Sequence, residues 1–262
     1  METALEKSVE ISRDGPVGIL RMNEPQSLNA FSQAIKDGLA GGIAAFLADP
    51  AVRAILLTGT GRAFCAGGDL RTMDGLTSVA TRTRMRATHH WLKPWLDAEK
   101  PIVTAVNGLA VGAGLSLALT GDVICASAKA KFKVGFLGIG AAPDLGLAYT
   151  LPRAIGMARA KDLILTNRDV EAEEALAMGL IARIFEDNEL VEKSLAVAHR
   201  LAEGPPVATG LAKRLLRQGA DATLDTFLDA EAFAQSIAFT SEDFREGLAA
   251  FREKRRARFP GK

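Results

Sequence analysis

PIVTAVNGLAVGAGLSLALTGD, residues Pro101 to Asp122, decides the architecture. Its opening, Pro101 to Val106, is a short apolar run rich in β-branched residues, the pattern of a buried strand. Asn107 and Gly108 break the run, and Gly112 and Gly114 follow. Leu115, Leu117, Ala118 and Leu119 then form a compact apolar helix ending near Gly121. A strand, a glycine-rich turn and a helix start leave backbone N–H groups free to meet an anion. The glycines are spaced G-x-x-x-G-x-G, not G-x-G-x-x-G, and no Lys-Ser/Thr closes the turn, so neither phosphate-binding pattern applies. A helix packed too closely for side chains would show the same glycines, and spacing alone does not separate the two readings.

A second stretch makes the same offer. Val52 to Thr58 (VRAILLT) is another short apolar strand, followed by GTGRAFCAGGDL from Gly59 to Leu70. Ala66, Gly67 and Gly68 leave the backbone uncovered just before Asp69, a residue suited to capping a helix N-terminus. Two bare N–H groups from separate loops can converge on one oxygen and form an oxyanion hole.

The rest of the chain predicts an alternating α/β protein. Strands are expected near 7–12 and 16–22 around a turn at Asp14–Gly15, and a helix over 30–47 that stops at Asp49–Pro50. Strand 52–58, a loop over 59–70, helix 78–97, strand 102–106, helix 114–120 and strand 122–126 follow, with short strand or loop segments across 131–139. After Pro143 the pattern is mostly helical, with one strand at Ile181 to Phe185; Pro143 itself suits a first helical position and would put Asp144 at a helix start. Strands alternating with helices, then helices alone, give an α/β core with a helical C-terminal region.

Bulk properties exclude several function classes. At 262 residues the chain can bury a sizeable core, and a net charge of +1 with 24% charged residues favours neither nucleic acid nor an acidic membrane as partner. Cys65 and Cys125 are too few for a disulfide framework and point to a reducing, cytoplasmic setting, with Cys65 read as small packing. METALEKSVEI lacks the apolar core of a secretory signal, and polar residues and glycines interrupt the longest apolar stretch, so no membrane span is expected. Three histidines without clustered spacing argue against a metal site.

The two glycine loops resemble the paired signature of the crotonase superfamily, the enoyl-CoA hydratase/isomerase family. Asn23 to Phe31 (NEPQSLNAF), Gly138 to Gly156, Leu163 to Ile181 and Ser241 to Phe259 resemble further family segments in the family order. The resemblance implies a spiral of ββα units over residues 1–200 that binds an acyl-CoA thioester, with a helical trimerisation region over 201–262. The assembly it implies is a homotrimer or a hexamer of paired trimers. It implies no cofactor beyond coenzyme A as the substrate's carrier. The implied oxyanion donors are the N–H groups of Gly68 and Ala113, and Ala66, Asp69 and Leu70 line the coenzyme loop. Gln26 stands where many relatives carry a lysine near the coenzyme phosphate. Lys254 and Phe259 in the basic tail are placed to reach a neighbouring subunit's coenzyme, though a solvated basic helix face reads the same way.

The departures narrow the chemistry. Family hydratases add water with two glutamates; the matching positions here are Ser116 and Phe136. Neither can exchange a proton at neutral pH, so two-glutamate hydration is not expected. Asp144 matches an aspartate of some family isomerases and the nucleophilic aspartate of the family's 4-chlorobenzoyl-CoA dehalogenases. Stabilisation of a helix N-terminus is its plainer role. The leading expectation is double-bond isomerisation with Asp144 as the base. The alternatives are nucleophilic attack by Asp144 on an aryl-CoA ring with help from His89, or acyl-CoA binding without turnover. Phe136, Leu137 and Trp91 are candidates for the acyl pocket wall.

Overall fold

The computed structural model describes residues 7–262. The chain opens with the hairpin β1 (Val9–Asp14) and β2 (Val17–Met22), whose turn falls on Gly15 and Pro16, and then α1 (Gln33–Ala48). A strand-strand-helix unit repeats from there. β3 (Ala54–Gly59), β4 (Ala63–Cys65) and α2 (Ser78–Leu96) form one turn of the spiral, and β5 (Ile102–Val106), β6 (Leu109–Val111) and α3 (Ala113–Ala118) the next. β7 (Val123–Ser127) and β8 (Lys131–Lys133) lead to α4 (Leu147–Ile155) and α5 (Met157–Thr166). β9 (Asp169–Glu171), α6 (Ala172–Ala177), β10 (Arg183–Phe185) and α7 (Leu190–Ala202) complete the core, and α8 (Pro206–Gly219), α9 (Leu224–Thr240) and α10 (Glu242–Glu253) close the chain.

The first strand of each unit joins a six-stranded sheet in the order β1-β2-β3-β5-β7-β10, parallel except for the opening hairpin. The second strand joins a four-stranded sheet, β4-β6-β8-β9. β3 explains the apolar run in its sequence: it is buried on both faces, as parallel strands between layers are. Ile55 and Leu57 enter the main core with Ile35, Leu39 and Ile43 of α1. Ala54 and Leu56, pointing the other way by the two-residue period, pack with Ala198 and Ala202 of α7.

Helix boundaries follow local chemistry. Ser32 caps α1 by accepting a hydrogen bond from Ile35 N, and Thr77 caps α2 through Ala80 N. Pro94 sits in the last turn of α2, two residues before its end, and Trp95 beside it is fully buried, its indole N–H donating to Thr120 Oγ1 at 2.8 Å. α8 is fastened to the end of the large sheet by Lys213, which donates to Asp122 Oδ2 at 2.6 Å and to Lys100 O at 2.8 Å.

Three expectations are corrected. Segments 59–70 and 107–113, read as loops, carry β4 and β6, because three-residue strands flanked by glycine show no alternation to read. Asp169–Glu171 is a strand inside a stretch expected to be helical, held by antiparallel pairing with β8. Asp144 does not start a helix; α4 begins three residues later, with Gly146 as its N-cap. Among the described residues no helix is long and apolar enough to cross a membrane.

Candidate active site

The small sheet builds the site. Its parallel strands β4, β6 and β8 end side by side and deliver Ala66–Gly68, Gly112–Ala113 and Gly135–Phe136 to the wall of one cavity of about 530 Å³. The two glycine loops singled out in the sequence therefore meet. Gly67 has φ +100°, and a Cβ there would lie 2.9 Å from Val111 O and 3.9 Å from Ala113 N, so the meeting excludes any side chain.

The loop after β4 is pinned from outside. Phe31 N donates to Gly67 O at 2.7 Å, and Ala66 N donates to Leu28 O at 3.0 Å. Asn29 holds this clamp: it is fully buried, and its Nδ2 donates to Thr60 O at 2.9 Å and Ala63 O at 2.8 Å. Its Oδ1 accepts from Glu24 N at 2.8 Å, so the NEPQSLNAF segment is a brace for the glycine loop. With the loop held this way, neither Gly68 N–H nor Ala113 N–H donates to another backbone group among the described residues, Ala113 being the first residue of α3.

Asp69 and Leu70 differ in role. Asp69 is buried and takes Arg71 Nε at 2.8 Å and Nη2 at 3.1 Å, and this pairing holds its carboxyl below the usual range. It caps the short 3-10 turn Leu70–Thr72 and has no proton to give. Leu70, 55% exposed, lies at the cavity mouth with Met73 and Leu76.

Asp144 reaches the same cavity from the loop before α4. Its Oδ1 is buried without a hydrogen-bond partner. Burial raises its pKa, against the charges of Lys36, Arg84 and, last, His89, which favour ionisation. A buried carboxylate with one oxygen unpartnered, facing the charges of Lys36 and Arg84 across the cavity, is a candidate for proton transfer. Ser116, at the first position where hydratases carry glutamate, is fully buried; its Oγ lies 3.1 Å from Asp144 O and 3.2 Å from Gly112 O. It ties the Asp144 loop to the glycine turn after β6. Phe136, at the second position, contributes apolar wall.

A pH dependence follows. For the base role proposed below the carboxylate is the active form, so activity should be lost as pH falls through a raised pKa. The acid limb of kcat/KM should sit above the ordinary aspartate value of about 3.9. A limb at or below that value would contradict Asp144 as the base.

The other expected site residues fall elsewhere. His89 is exposed on α2, one position past the buried Thr88, and does not line the cavity; the turn of the helix carries it away from the wall. Trp91 packs against Phe31 with ring centroids 6.2 Å apart, and Leu137 is 38% exposed; neither lines the cavity, whereas Phe136 does. Gln26 is exposed on a 3-10 turn. Lys254 ends α10 with φ +54°, and Phe259 O accepts from Arg53 Nη1 at 3.0 Å, both away from this chain's cavity. Cys65 is fully buried, which pushes its thiol up to about 12 and leaves it inert as a nucleophile.

Sequence reasoning missed Lys36 and Arg84, which also line the cavity. The signal was present for Lys36: it sits within the apolar stripe of α1, beside Ile35 and one turn before Leu39, where a lysine is out of place.

Comparison with known proteins agrees with this geometry. The family model described as enoyl-CoA hydratase/isomerase matches residues 12–262. The 1,2-epoxyphenylacetyl-CoA isomerase of Escherichia coli is 38% identical over 248 residues, covering 93% of this chain and 94% of that protein. The short-chain-enoyl-CoA hydratase of Clostridium acetobutylicum is 32% identical, covering 95% and 96%. The crystal structure of enoyl-CoA hydratase from Bacillus anthracis superposes with a TM-score of 0.92 at 30% identity, covering 97% of this chain and 100% of that one. With the braced glycine loops, the repeated strand-strand-helix unit and a match over nearly its whole length, the chain belongs to the enoyl-CoA hydratase/isomerase family of crotonase-superfamily enzymes.

Proposed function

We propose that the protein isomerises an unsaturated acyl-CoA thioester, with Asp144 moving the proton and the Gly68 and Ala113 N–H groups holding the enolate oxygen. Asp144, which lines the cavity that both glycine loops reach and has one buried carboxylate oxygen unpartnered, carries this reading. Moving a double bond needs one base that takes a proton from one carbon and returns it to another, and one carboxylate suffices. Hydration needs a second acid-base group, and Ser116 and Phe136 leave none at those positions. The relative named as an isomerase supports the same choice. His89 is exposed on α2 and does not line the cavity, which favours the isomerase over the nucleophilic, aryl-CoA alternative.

Turnover of 3-enoyl-CoA, 2-enoyl-CoA and 4-chlorobenzoyl-CoA, followed by mass spectrometry and thioester absorbance, tests the reading. Conversion of the 3-enoyl ester alone supports it. Fast hydration of the 2-enoyl ester, or chloride release, contradicts it, and binding of all three without turnover marks a non-catalytic acyl-CoA protein.

The reading includes a trimer, or paired trimers, built on the C-terminal helices. α9 exposes Leu224, Leu228 and Phe239 on one side and Phe233 and Ile237 on the other, apolar surface that further copies of the chain would cover. Phe233→Asp should therefore shift the mass measured by light scattering from an oligomer to a monomer; a monomeric wild type would overturn the assembly. The free, buried Cys65 and Cys125 fit a cytoplasmic setting.

A further inference from the structure

Lys36 is the anomaly of the cavity. Its side chain comes off the first turns of α1 and is only 5% exposed, yet the ammonium makes no hydrogen bond or ion pair among the described residues. Its one specific contact is with the face of Phe31, 5.2 Å from the ring centroid. Arg84, from α2, lines the same cavity and satisfies one guanidinium nitrogen on Thr72 O at 3.3 Å. The carboxylates do not balance these two cations. Asp69 is committed to Arg71, which leaves Asp144 alone against Lys36 and Arg84. The two cations face an apolar cavity with a surplus of positive charge, and a ligand that brings a negative charge gains a charge-assisted contact there.

We propose that the acyl part of the substrate carries an anionic oxygen, a carboxylate in the simplest case, and that Lys36 with Arg84 selects for it. The proposal rests on the reading that this cavity takes the acyl group of a CoA thioester. Lys36 and Arg84 then act as specificity residues at the acyl end, while the thioester end stays with Gly68 and Ala113. The ammonium is poised for such a partner: burial and the neighbouring Arg84 pull its pKa below the lysine range, and Asp144, Asp37 and Asp69 hold it up. An anion docking beside it raises the pKa back and keeps the charge on.

The test compares matched saturated thioesters, which cannot isomerise: acyl-CoA esters of roughly four to ten carbons, with and without a terminal carboxylate. Their dissociation constants are measured by calorimetry for the wild type, Lys36→Met, Lys36→Arg and Arg84→Met. The expected result is that at some chain length the wild type prefers the carboxylate ester by about tenfold or more, in line with a charge-assisted contact. Lys36→Met should abolish that ratio and Lys36→Arg should keep it. Arg84→Met, on a partly exposed helix position, should reduce it, and it serves as the second variant if Lys36→Met does not fold. No preference at any length in the wild type, or a preference that survives both Met variants, overturns the proposal. Binding is read without turnover, so failure of the isomerase reading shows separately, in the Asp144→Asn rates.

Discussion

Asp144→Asn is expected to lower kcat for the proposed 3-enoyl-CoA isomerisation by roughly 100- to 10,000-fold, the span of general acid-base catalysis, with KM little changed. The asparagine keeps the shape of the side chain and loses the proton-accepting oxygen, so binding survives where chemistry does not. Its effect on stability has the opposite sign. The folded-state pKa of Asp144 is raised by burial, so the ionised form costs the fold stability at every pH above that raised pKa. The cost fades as pH falls and is gone below the unfolded value of about 3.9. At pH 7 the Asn variant should melt higher than the wild type in a thermal scan. A variant that is inactive because it melts lower would shift the loss from chemistry to folding.

Ala113→Pro should cost about 100- to 1000-fold in kcat, the loss associated with one oxyanion donor. Ala113 is the first residue of α3, where a proline removes an N–H that has no intrahelical acceptor, so the helix itself is spared. Far-ultraviolet circular dichroism checks that the fold is kept, and steady-state rates on the 3-enoyl ester read the loss. A rate within a few-fold of wild type would mean that this N–H is not part of the hole.

Much of this was legible in the sequence because it is written in short-range patterns. The apolar runs Val52 to Thr58 and Pro101 to Val106 became β3 and β5, displaced by at most two residues. Ala66–Gly68 and Gly112 stand out in the sequence as bare backbone, Ala113 is added by the family resemblance, and all of them line one cavity. What escaped was set by long-range contacts. β4, β6 and β9 are strands only because neighbours in the small sheet hold them, and their three-residue sequences carry no period. Asp144 was placed at a helix start by its proline, yet Leu145 and Gly146 both take positive φ and delay the helix. The Asn29 brace joins residues more than thirty apart, a pairing no local reading supplies. Lys36 was visible as a charge in an apolar stripe, but only the cavity gives that position a meaning.

The central claim is that Asp144 takes the proton next to a thioester whose oxygen is held by Gly68 and Ala113. Deuterium uptake at the α-carbon of a saturated acyl-CoA in heavy water, followed by mass spectrometry, tests that step without requiring a double bond. The account predicts uptake catalysed by the wild type and abolished in both Asp144→Asn and Ala113→Pro. Uptake that proceeds unchanged in Asp144→Asn would contradict it.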